Sequence, residues 1–107
     1  MISVNILKNK GKYSKIELYG HAEFDDYGKD IVCAAVSALV VNCANSIENF
    51  TDDLILSETH EDGTTEILLK ENISHDTELL IDSMLFGLKE INKTYGNKVL
   101  KISVKEV

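Results

Sequence analysis

The chain of 107 residues has no proline and only two cysteines. No proline-rich linker, low-complexity tract or internal repeat interrupts it, so nothing marks a domain boundary. Cys33 and Cys43 fall on one predicted helix. Ten residues of helix separate them by about 15 Å along the axis, too far for a disulfide. The opening stretch "MISVNILKNKGK" places its lysines after a short apolar segment, the reverse of a secretory leader. A reducing, cytoplasmic setting is therefore expected. No uninterrupted apolar run approaches the roughly 18 residues of a membrane span; the longest, Ile31 to Val41, is broken by Ser37. Basic charge is scarce as well: 11 basic residues face 18 acidic ones, for a net charge of −7. Such a balance repels phosphate backbones and suits a basic partner, so neither direct nucleic acid binding nor a membrane role is expected.

What remains is the composition of one folded domain spanning residues 1–107, with 44% hydrophobic and 27% charged residues. A chain of this size can bury a core without covalent or metal staples. Ile2, Val4 and Ile6 alternate with Ser3 and Asn5, predicting a strand. "NKGK" turns the chain into a second strand, Tyr13 to Tyr19, ending at Gly20. "HAEFDDYGK" has no sustained period and reads as a loop. Asp30 is placed to cap a helix running from Ile31 to about Asn49, apolar on most faces and therefore expected to be buried on most sides. Asp53 to His60 and Thr64 to Lys70 flank "EDG", a hairpin signal. Ser74 caps a second helix to about Tyr95, with Leu80, Ile81, Met84, Leu85, Leu88, Ile91 and Tyr95 as its apolar stripe and Gly96 as its stop. "KVLKISVKEV" closes as a strand. The order ββαββαβ predicts an α+β domain with two helices on a mostly antiparallel sheet.

The chemistry concentrates in "GHAEFDDYGKDIVCAAVSAL". With Asp30 as cap, the Cys33 sulfur sits in the first helical turn, where free N–H groups and the helix dipole favour a thiolate. His21, twelve residues earlier, has enough chain to reach that sulfur and exchange a proton with it. Ser37 lies one turn above Cys33 on the same face. On pattern alone each has a plainer reading. Cys33 is also a small hydrophobe, His21 a surface residue, Ser37 a hydroxyl bonded back to its own helix, and Asp30 a simple cap. "YGKD" lacks the glycine spacing of a phosphate loop. Cys43 reads as core. His60, near Glu58, Glu61 and Asp62, and His75 read as solvated; no metal-ligand spacing appears, and no cofactor is expected.

"GHA", a short loop, then "YGKDIVCAAVSAL" resembles the signature of the ribosomal-processing cysteine protease (Prp, YsxB-like) family. The order of elements and the length are similar too. The resemblance implies a cysteine endopeptidase that removes the N-terminal extension of large-subunit ribosomal protein twenty-seven, after a phenylalanine-rich stretch, in support of ribosome assembly. It implies Cys33 as nucleophile and His21 as general acid and base, with Asp30 and Ser37 as supporting members of the motif. It also implies a homodimer. A loop from Glu23 to Lys29 that orders around substrate would bring Phe24, Tyr27 and the flexible Gly28 against a peptide. The competing expectation is a non-catalytic, ribosome-associated binding module. A thiol-redox protein is disfavoured because no C-x-x-C occurs.

Overall fold

The computed structural model describes residues 1–20 and 29–107, with the side chains of Lys29 and Asp30 outside the description. Seven elements follow in order: β1 (Ile2–Asn9), β2 (Lys12–Tyr19), α1 (Lys29–Phe50), β3 (Ile55–Thr59), β4 (Thr65–Leu69), α2 (His75–Tyr95) and β5 (Leu100–Glu106). The ββαββαβ order is the expected one. The strands form a five-stranded sheet in the order β3-β4-β2-β1-β5. All neighbours are antiparallel except β1 and β5, which run parallel after the long crossover through α2.

Local chemistry fixes the turns. Lys10 and Gly11 join β1 to β2 with φ of 54° and 79°. Positive φ at both central residues belongs to the primed turn whose twist suits a two-residue hairpin. In the second hairpin the Gly63 N–H donates to the His60 carbonyl (3.0 Å) and the His60 N–H to the Thr64 carbonyl (2.8 Å), leaving Glu61-Asp62-Gly63 as the loop. Gly63 supplies the positive φ, 91°, that closes it.

Alternation then sorts the two faces of the sheet. Ile6, Ile16 and Ile67 are cross-strand neighbours and all are buried. Val4 and Ile2 continue the same face beside Ile102 and Leu100 of β5. The core register of β5 therefore starts at Leu100. In β2 the register slips opposite Leu7 and Lys8, with Ser14 as the extra residue. That bulge turns Tyr13 onto the core face, three residues from Ile16 rather than two or four.

Both helices cover this face. α2 carries Ile81, Met84, Leu85 and Leu88 inward. Truncating any one of these to alanine would cost roughly 2–5 kcal/mol. The Ser74 hydroxyl accepts from the Thr77 N–H at its start (3.3 Å), and the Gly96 N–H donates to the Asn92 carbonyl at its end (2.7 Å), as the caps predict. The Asp53 carboxylate ties this start to the chain leaving α1: it accepts from the Ser74 N–H (2.8 Å), the Ser74 hydroxyl (2.7 Å) and the Thr77 hydroxyl.

α1 departs from expectation. Only one stripe, Val32, Val36, Val40, Cys43 and Ile47, is buried. The opposite stripe, Ile31, Ala34, Ala38 and Val41, faces outward. A two-layer fold has an element on only one side of its helices, so all-round apolarity did not translate into all-round burial. Over Ile31–Phe50 the mean hydropathy is 1.6, enough by length and composition for a membrane span. Its buried stripe instead closes the core of a sheet.

Candidate active site

The site builds from the start of α1. The helix begins at Lys29, so Asp30 is its second residue and not the residue before its first turn. Cys33 is accordingly the fifth helical residue rather than the third. The N–H groups of residues 29–32 are the four without an intrahelical acceptor. A helical side chain leans toward the N-terminus, so the Cys33 sulfur lies over that first turn.

Cys33 is a free thiol, half-buried against the edge of the core. Ser37 is half-buried on the same face, one turn later. Thr51 and Thr94 donate their hydroxyls to the carbonyl four residues back, at 2.7 and 3.2 Å. Among the described hydrogen bonds Ser37 makes none of that kind. Cys43 is a different thiol. It is buried, lies 3.7 Å from the Leu80 carbonyl oxygen, and is pushed up to about 11 by burial alone. It is a core residue, as its position in the sequence suggests.

The structure therefore brings together Cys33, Ser37 and the open N-terminal turn that contains Asp30. His21, Phe24, Tyr27 and Gly28 lie outside the described residues, as does the side chain of Asp30.

The sequence marked Gly20 only as the end of the second strand. Gly20 ends β2 with φ of 99°, and a Cβ on it would overlap the Met1 carbonyl oxygen and stand 3.1 Å from the Ile2 Cα. The first residue of "GHA" is thus held where only glycine fits. The available signal was its position next to His21, but the close approach comes from the start of β1.

A cluster of metal-ligand types exists elsewhere. Glu58, His60 and Glu66 on the β3–β4 hairpin offer ligand atoms within 4.8 Å of one another. Their grouping follows from register, since Glu58 and Glu66 are cross-strand partners. His60 Nε2 lies 3.6 Å from one Glu66 oxygen, and Lys15 Nζ lies 3.5 Å from the other.

The family model for cysteine protease Prp matches residues 1–100. The chain belongs to the Prp family. It is a cysteine protease, a peptide-bond hydrolase of the ribosomal-processing type. The ribosomal processing cysteine protease Prp of Staphylococcus aureus is 30% identical over 101 residues, covering 92% of this chain and 95% of the relative. Two crystal structures of the essential ribosomal processing protease Prp from S. aureus share the fold. One, in complex with a substrate peptide, is 28% identical with a TM-score of 0.87. The other, with a covalently linked product peptide, is 29% identical with a TM-score of 0.85. Each covers 97% of this chain and 99% of its own. Membership in the Prp family removes the non-catalytic binding module from consideration.

Proposed function

We propose that the chain is an endopeptidase that removes the N-terminal extension of large-subunit ribosomal protein twenty-seven, through Cys33 and His21. The observation that carries this reading is a half-buried free thiol in the first turns of α1, in a family with a relative that holds a covalently linked product peptide. Cys33 Sγ attacks the scissile carbonyl carbon, and the C–N bond breaks as His21 gives its proton to the departing amine. Water then attacks the thioester, His21 takes a proton from it, and the freed acid leaves the sulfur as a thiolate. Backbone N–H groups at the start of α1, or in the loop before it, would stabilise the developing oxyanion, each such donor being worth roughly 3–4 kcal/mol of barrier. Asp30 and Ser37 serve as supporting polar groups around this turn. Phe24, Tyr27 and Gly28 contribute the loop that meets the apolar side of the peptide.

The acidic balance of −7 suits a basic ribosomal protein and disfavours direct contact with RNA. We place the reaction in the cytoplasm, where ribosomes are assembled and the two thiols stay reduced. The outward stripe of α1 supports a homodimer. Ile31 and Val41 are 54% and 55% exposed, and on α2 the exposed Leu79 and Phe86 are apolar as well. Soluble monomers seldom leave a contiguous apolar face of this kind uncovered.

The test is incubation with the N-terminal peptide of the ribosomal protein from the same organism, read by mass spectrometry. One internal cut after the phenylalanine-rich stretch is expected from the native protein and none from Cys33→Ser. His21→Ala should lose the rate and keep peptide binding. Cleavage by Cys33→Ser at the native rate would defeat the assignment.

A further inference from the structure

Most of this molecule is acidic, yet three of its 11 basic residues, Lys10, Lys12 and Lys70, line one cavity. The cavity has a volume of about 220 Å³ and opens at the turn between β1 and β2. Topology creates it. The β2–β4 ladder ends at the pair Lys15 and Leu68, where the Ser14 bulge turns β2 away from its neighbour. Beyond that pair the two strands part. The gap is walled on one side by residues 9–14 and on the other by residues 69–73. Lys10 in the turn and Asn72 in the β4–α2 connection both have positive φ, 54° and 62°, which folds the two walls around the opening.

The charges in this cavity are poorly neutralised. Glu71 is the one acidic residue in the lining. None of the three lysines lies within ion-pair distance of a carboxylate among the described residues. Lys12 makes one long contact, 3.5 Å from its Nζ to the Ile73 carbonyl, and Asp53 feels its charge from the neighbouring turn. The Tyr13 hydroxyl is engaged with Asp82 and is not available to a ligand. Asn9, Ser14 and Asn72 add neutral polar groups to the wall. Ammonium groups gathered on the walls of one cavity repel one another, and an anion seated among them reduces that repulsion.

We infer that this cavity binds a phosphate group, carried either as a free inorganic anion or on a small phosphoester such as a nucleotide. Three ammonium groups offer up to nine N–H donors to the oxygens of a multiply charged anion. A singly charged carboxylate of an acidic peptide would use fewer of them. The volume accommodates a phosphate or diphosphate and leaves an attached base outside. The site lies at the turn end of β2, and the eight residues of that strand place it about 24 Å from Gly20. It shares no lining residue with Cys33 or Ser37, and binding there does not depend on the protease mechanism.

The experiment is an amide NMR titration of the full chain at low ionic strength with inorganic phosphate, pyrophosphate and ADP as separate probes. The expected result is saturable shifts confined to residues 9–14 and 69–73, weakened by added sodium chloride. Lys70→Gln should weaken binding roughly two- to fivefold. The combined Lys10→Gln, Lys12→Gln, Lys70→Gln variant should lose saturation. Equal affinity for pyrophosphate and ADP assigns recognition to the phosphates alone, and tighter binding of ADP adds the nucleoside. Saturation by ADP with no response to either inorganic anion would overturn the inference. So would non-saturating shifts, or identical titrations of native protein and Lys70→Gln, a single exposed change that leaves the core intact.

Discussion

Gly20 and Met1 are in backbone contact, with no room between them for a side chain on Gly20. The contact holds the end of β2 against the start of β1, next to the position occupied by His21 in the sequence. It gives the glycine of "GHA" a structural reason independent of any motif.

Gly20→Ala should therefore lose stability by about 1–3 kcal/mol, from the positive φ together with the overlap on Met1. Urea unfolding would show it as a lower midpoint at unchanged slope. A midpoint equal to that of the native protein would show that β1 can step aside without cost.

The two thiols should separate in alkylation. Cys33 is half-exposed over a helix N-terminus, whereas Cys43 is buried with its thiol pushed up to about 11. At neutral pH iodoacetamide should modify Cys33 alone, and mass mapping should find Cys43 untouched until the protein unfolds. Comparable labelling of both in the folded protein would contradict the packing of α1.

Asp53 should make stability acid-sensitive. Hydrogen bonds from Thr77 and Ser74, aided by Lys12, hold its carboxyl below the usual value of 3.8. A folded-state value below the unfolded one means the contribution is fully present above pH 4 and is lost as pH falls through the folded value. Asp53→Asn should be less stable at neutral pH by about 1–2 kcal/mol, because it replaces a charged acceptor of several bonds. Its stability should also change less between pH 5 and pH 2 than that of the native protein, in thermal unfolding across that range (roughly the span in which carboxylates titrate). Parallel curves for the two proteins would rule out Asp53 as the acid-sensitive group.

The outward stripe of α1 should govern assembly. Val41→Glu places a charge on a residue that is 55% exposed in the single chain, so the monomer should fold normally. Sedimentation should then find the native protein dimeric and the variant monomeric. A native monomer at cellular concentrations, or a variant that remains a dimer, would remove this face from the interface.

The sequence by itself determined the elements and their order. Alternation in Ile2-Val4-Ile6, the caps at Ser74 and Gly96 and the turn glycines are local signals, and local backbone chemistry enforces them. Only the tertiary structure decided which apolar residues are covered. β5 joins β1 in parallel because α2 carries the chain across the sheet, a pairing no short-range pattern encodes. The Ser14 bulge turned Tyr13 inward, and a single helix layer left Ile31 and Val41 facing out, so burial followed which elements met rather than apolarity alone. The same distinction separates Cys33 from Cys43: both are helical thiols in one sequence pattern, and position against the sheet made one available and the other inert.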